Sequence, residues 1–199
     1  VLFPARLHLM FRGLRGLYAC SNPACTYKQP VPEKPLPFGR VYFSDETDIC
    51  KCGGKVFELL NDRACGSLFI KGYLDKTAVG PKYVWPHKGV DYSDNLCEVH
   101  FYLVSPEEEK DVAKLLQAEN GRFAWLDSIT GRLYEDDRHA GNPHCLRVAY
   151  CHKLEKKVWS FDKCPHCGRK HLTATNFTTK GNEPFFNLVS EQLANQPQT

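Results

Sequence analysis

No stretch of this chain combines a basic start, an apolar run and a cleavable small-residue site, and no run of eighteen apolar residues occurs, so neither export nor membrane insertion is signalled. Nothing matches a glycine-rich loop ending in Gly-Lys-Ser/Thr, and Asp136-Asp-Arg-His139 is not an acidic pair on an apolar strand, so no nucleotide site is expected. No Ser/His/Asp or Cys/His grouping stands out, and the eight histidines are scattered. Tandem repeats of solenoid length are missing too. Net charge is only +3, too small by itself to argue a nucleic-acid partner. Together these absences describe a segment that catalyses nothing alone. It begins at Val1 rather than methionine, as a piece cut from a larger protein would.

Cysteine, by contrast, is plentiful. Ten occur in 199 residues, among them Cys20 and Cys25, the pair in Cys50-Lys-Cys52-Gly-Gly, and the pair in Cys164-Pro-His-Cys167-Gly. Close pairs flanked by glycine suit a tetrahedral ion: two nearby thiolates must curl round one metal while glycine takes the tight turn. A secreted domain would use cysteine as a covalent staple instead. Metal is the better reading, because Cys-x-Cys and Cys-x-x-Cys are too tight to bridge internally without strain and both are good chelates. The expected cofactor is zinc, two ions per chain, and the expected compartment is the reducing cytoplasm.

Cys20, Cys25, Cys50 and Cys52 make a closed four-sulfur shell, which leaves no position for water and is therefore structural. Such a shell stabilises small zinc modules by about 10–16 kcal/mol. A second site takes Cys65, Cys164 and Cys167. In Asp62-Arg-Ala-Cys65-Gly66 an aspartate stands where the first cysteine of a pair would be, which makes Asp62 an oxygen ligand, in competition with Cys145, Cys151 and His152 for the fourth position. Cys97 has no second cysteine close by in the sequence and is expected in the core. Cys-Pro-His-Cys also occurs as a redox centre at helix N-termini, but here Gly168 and the β-branched residues after His171 start no helix.

Charge is unevenly spread. Residues 1–40 carry +5 and 138–171 carry +6, whereas 41–137 carry −7. The basic ends are also the cysteine-rich ends, so a fold that joins them would create a positive face.

Alternation predicts strands at 5–12, 41–43, 55–60, 67–74 and 97–104, a hairpin over 121–137 joined through Ser128-Ile-Thr-Gly131, a paired 145–153 and 158–161, and a threonine-rich strand near 171–178. Prolines at 30, 32, 35 and 37 make 28–39 an extended loop. Ser105-Pro-Glu-Glu108 reads as a capping box opening a helix near 106–119, and Asn182 caps a second. The expected fold class is mostly β (α+β), a zinc-ribbon-containing domain with short antiparallel sheets and two helices. Its divisions are 1–75, the ribbon half; 76–144, a β/α insertion; and 145–199, the second knuckle, strand and helix.

The run from Arg6 through Cys20-Ser-Asn-Pro-Ala-Cys25, with Cys164-Pro-His-Cys167-Gly followed by Thr178-Thr-Lys-Gly-Asn-Glu-Pro-Phe and the 186–193 helix, resembles large prokaryotic DEAD/DEAH-box helicases of superfamily two, the type met in anti-phage (antiviral) defence and DNA repair. With 55–74, about half the chain carries the resemblance. Asp62 departs from it, since cysteine would be expected there. The resemblance implies a zinc-binding accessory insertion between two RecA-like lobes, whose parent hydrolyses ATP with magnesium to move on DNA rather than RNA. Other defence proteins are implied as partners, and no membrane. In such a machine Arg6, Arg12, Arg15, Lys153, Lys156, Lys157, Arg169 and Lys170 would meet phosphates, and Tyr18 or Trp159 would stack on a base or pack in the core. A zinc-stabilised protein-docking module is the alternative, and a thiol oxidoreductase a more distant one.

Overall fold

The computed structural model of the protein describes residues 16–28, 36–43, 45, 47–90, 94–153, 157–170 and 174–177. The strand expected at 5–12, most of the proline-rich loop, the second helix, and Arg6, Arg12, Arg15 and Lys156 lie outside the described residues.

Among the described residues the fold is mostly β, eleven strands joined in one sheet with a single α-helix. β1 (Leu17–Cys20) lies between β2 (Val41–Tyr42) and β3 (Val56–Asp62). β4 (Leu68–Asp75) joins β3 to β6 (Leu96–Leu103). The sheet continues through β9 (Cys145–Cys151), β7 (Gly121–Asp127) and β8 (Arg132–Tyr134) to β5 (Lys82–Tyr83) at the edge. β10 (Val158–Trp159) runs parallel to β6, and β11 (Ala174–Asn176) lies antiparallel to β3. The helix α1 covers Glu109–Ala118.

Side chains on a strand alternate between faces, and here both faces are covered. Leu59, Ile70, Phe101 and Tyr150 enter one apolar cluster. Their neighbours Leu60, Phe69, Tyr102 and Cys151 enter another, completed by Val112 and Leu116 of α1 and by Phe161. Each large side chain so buried contributes about 1.5–3 kcal/mol. β1 and β11 occupy the same edge of β3, one after the other: Leu17 sits opposite Leu59 and Asn176 opposite Leu60. Leu17 and Phe177 pack against the same cluster.

Two expectations need correction. β9 and β10 do not pair with each other; β9 is inserted between β6 and β7 and meets only Tyr102 and Leu103 of β6, leaving Glu98 and Val99 for β10. The helix starts a turn late, at Glu109, with no side-chain cap. Glu108, expected to close a capping box, instead accepts hydrogen bonds from Tyr102 Oη at 2.8 Å and His166 Nδ1 at 2.6 Å. Trp159 is 2% exposed with its ring edge-on to His152, and so belongs to the core and not to a stacking surface. Cys97 is buried in the first cluster, as expected.

Glu135 ties the outer strands together, accepting hydrogen bonds from Tyr150 Oη at 2.5 Å, Lys82 Nζ at 2.5 Å and Arg122 at 2.9 Å. Burial would raise its carboxyl, but these donors outweigh it and hold its pKa at about 2. A depressed pKa stabilises the fold above the ordinary value of 4.5, and that stability is lost as pH falls toward about 2. Glu135→Gln is expected to be less stable than the parent at neutral pH and to converge with it near the acid end. Urea titrations across that range check this, and a gap that persists in acid contradicts the charge-based account.

Candidate metal centres

β3 carries one cysteine group at each end. Before it, Cys50 and Cys52 sit on a turn closed by Cys50 N–H to the Gly54 carbonyl (2.7 Å) and Gly53 N–H to the Cys50 carbonyl (2.8 Å). Gly53 has φ +84°, the left-handed conformation that excludes most side chains. Cys20 ends β1, and the Asn22 carbonyl accepts the Cys25 N–H at 3.1 Å, which turns Cys25 back toward the pair. The sulfurs of Cys20 and Cys52 are 3.5 Å apart, and those of Cys25 and Cys50 are 3.7 Å apart.

At the other end, Asp62 closes β3 and Cys65 occupies the turn into β4, while Cys164 and Cys167 follow β10. Cys164 N–H donates to the Arg169 carbonyl and Gly168 N–H to the Cys164 carbonyl, both at 2.9 Å. This is a strand-flanked knuckle, not the start of a helix. Cys65 and Cys164 sulfurs are 3.5 Å apart, and Cys65 Sγ is 3.5 Å from Asp62 Oδ2.

In both groups the ligand atoms lie within 4.8 Å of one another, so each could hold a metal ion. A tetrahedron with metal–sulfur bonds of about 2.3 Å has sulfur–sulfur edges of about 3.75 Å, and replacing one sulfur with an oxygen at about 2.0 Å gives edges of about 3.5 Å. The observed separations match these edges and are far longer than a disulfide bond of about 2.05 Å.

Local electrostatics prepare the sulfurs unequally. Burial, opposed by the Asn22 amide, pushes the Cys20 thiol up. Burial would also raise Cys52, but the Gly54 amide, the Asn22 side chain and the neighbouring thiols outweigh it and bring it down to about 7. In the second group burial raises Cys164 to about 11, while the Arg169 N–H lowers exposed Cys167.

Of the competing donors, Cys145 and Cys151 stand at opposite ends of β9 and His152 packs against Trp159; none joins the Cys65, Cys164 and Cys167 group. Two supporting residues escaped the sequence reading. Asn22 Nδ2 donates to Cys52 Sγ at 3.5 Å while its Oδ1 accepts from His144 Nδ1 at 3.2 Å. Ser67 Oγ lies 3.2 Å from Cys65 Sγ and 3.3 Å from Cys164 Sγ. The available signal was proximity alone, each lying two residues from a cysteine. Among the basic candidates, Lys153 pairs with Asp162 at 2.8 Å and Arg169 with buried Asp62 at 2.5 Å; Arg169, Lys157 and Lys170 are exposed.

Fold and sites together define a mostly β chain built round two candidate metal-binding groups. Residues 41–181 match the YjiV N-terminal domain family, and the chain belongs to that family. It is also 33% identical over 208 residues to the Druantia protein DruE of Escherichia coli (strain UMEA 4076-1), a match covering 99% of this chain but 11% of that protein's length. The family match includes Cys50, Cys52 and the whole second group but not Cys20 or Cys25. No solved structure matches. No helix among the described residues is long and apolar enough to cross a membrane.

A Cβ on Gly54 would fall 2.7 Å from Cys20 Sγ and 2.8 Å from Asn22 Cβ. Gly54→Ala is therefore expected to splay the first group and to speed the reaction of its thiols with an aromatic disulfide reagent. An unchanged rate contradicts the close approach.

Proposed function

We propose that this chain is a zinc-stabilised accessory segment of a larger ATP-dependent DNA helicase of the anti-phage defence type, cytoplasmic and without catalysis of its own. The observation that carries the reading is the pair of four-donor groups with tetrahedral separations at the two ends of one strand. Thiolate-rich tetrahedral sets select zinc, and a closed shell makes the ion structural rather than catalytic. The helicase part rests on the resemblance of the chain's two ends to such enzymes, and the kinship with a much longer Druantia protein supports a segment working inside a large machine. An inserted body must also leave its host where it enters, and the juxtaposition of Leu17 with Asn176 and Phe177 suits that.

Elemental analysis is expected to give two zinc ions per chain, and Cys52→Ser one. A folded, metal-free chain with its cysteines oxidised in pairs would overturn the reading.

Contact with DNA falls to Lys157 and Lys170 among the described candidates, because Lys153 and Arg169 are each paired with an aspartate. The docking alternative draws support from large apolar side chains left in solvent, with Phe43 67%, Val90 77% and Ile49 60% exposed. Lys157→Glu combined with Lys170→Glu separates the two. Weaker single-stranded DNA binding with a flatter salt dependence in gel shifts supports nucleic-acid contact, and unchanged affinity favours docking.

A further inference from the structure

We infer that the two centres are chemically unequal: the second is a three-thiolate, one-carboxylate site closed by Asp62, whose carboxylate Arg169 holds in position, and its ion exchanges faster than the all-sulfur one. This rests on the zinc reading above and adds to it a positioning residue for the carboxylate donor and an order of ion loss.

The two oxygens of Asp62 have different surroundings. Oδ1 accepts from Ala64 N–H at 3.1 Å and from Arg169 Nη2 at 2.5 Å. Oδ2 faces Cys65 Sγ at 3.5 Å, the sulfur–oxygen edge of a mixed tetrahedron. A turn-capping aspartate needs only Oδ1. Asp62 is nevertheless wholly buried, with its second oxygen directed at sulfurs. Once those sulfurs ionise, a carboxylate so placed repels them unless a cation sits between, and burying an uncompensated charge is costly.

Ser67 is not the fourth donor. Its hydroxyl is neutral; it lies 3.2 Å from Cys65 Sγ, which donates to it, and 3.3 Å from Cys164 Sγ, to which its one O–H can donate. Arg169 follows Cys167 by two residues, so the ion pair with Asp62 clamps the same two segments, 62–67 and 164–169, that the ion would join. Loss of the guanidinium leaves the carboxylate free to turn. Partners of this kind typically alter metal affinity by about 10–100-fold.

Unequal exchange follows from donor type and cover. Carboxylate is a harder donor than thiolate and holds zinc less firmly in a sulfur-rich shell. Cys167 is exposed, whereas Cys20, Cys25 and Cys50 are all buried. A chelator therefore reaches the second ion first.

The test uses the full zinc-loaded chain, with a colorimetric chelator following zinc release and cobalt substitution reporting the donors. The native chain is expected to release one equivalent fast and one slowly. Cys52→Ser should remove only the slow phase. Asp62→Asn should speed the fast phase by about tenfold or more and change the cobalt d–d bands, and Asp62→Cys should slow that phase toward the other. Arg169→Gln should speed the fast phase while two ions still bind, and Arg169→Lys should partly restore the native rate. If two ions bind but Asp62→Asn and Asp62→Cys leave both release and spectrum unchanged, the inference fails and the zinc reading stands. If no ion binds to the native chain, the zinc reading itself fails.

Discussion

Thiolates that approach within 3.5 Å of one another repel by about 5 kcal/mol per pair at an effective dielectric of about 20. One end of β3 gathers four such groups, and the other gathers three together with the Asp62 carboxylate. Neutral thiols remove the repulsion by binding protons, but they gain almost nothing from converging, since sulfur is a weak hydrogen-bond donor. A divalent cation reverses the sign and turns the crowding into attraction. The amide of Asn22 at Cys52, the hydroxyl of Ser67 at Cys164, and backbone N–H groups of both knuckles favour the ionised sulfurs, and they act against the burial that raises Cys20 and Cys164.

β3 suits its place between the groups because it is buried on both faces, with Phe57 and Leu59 on one side and Leu60 on the other. A strand of seven residues spans about 20 Å at its usual rise, which keeps the groups apart and independent. The second group joins residues 99 positions apart in sequence, Cys65 and Cys164. A covalent link closing a loop of about that size is worth about 4–5 kcal/mol in lost chain entropy, and a tight metal link acts in the same sense. An ion there would fasten the knuckle after β10 onto the β3–β4 turn, and Glu119 secures the approach to that knuckle by accepting Asp162 N–H at 2.7 Å and Lys163 N–H at 2.9 Å.

The knuckles and most strands were legible because both signals are local. Cys-x-Cys before glycine, alternation over 55–60 and 97–104, and the Ser128-Ile-Thr-Gly131 turn each state their geometry within a few residues. What escaped depends on distant partners. Glu108 has the spacing of a capping residue, but Tyr102 six residues before it and His166 on a knuckle 58 residues further along compete for its carboxylate. β10 was read as the partner of β9 because they are consecutive, yet the bare edge of β6 offered an equally good ladder beside the core. Lys153 and Arg169 looked like surface cations, and only the fold reveals Asp162 and Asp62 beside them.

Placement of β1 and β11 on one edge of β3 has a mechanical consequence. β1 runs along Leu59 to Val56 and β11 along Asp62 to Leu60, so the end of one strand abuts the start of the other in a single line. Ladders pulled along their length load all their hydrogen bonds together, whereas ladders pulled from one end open in turn. Leu17 and Asn176 lie side by side, opposite the adjacent residues Leu59 and Leu60, between the two cysteine groups at the ends of β3. A strand held at both ends by metal resists such shear better than one held by its ladder alone, since each centre adds bonds that hydrogen-bond exchange with water cannot replace. Metal at both ends would therefore hold β1 and β11 in fixed register on the one strand they share.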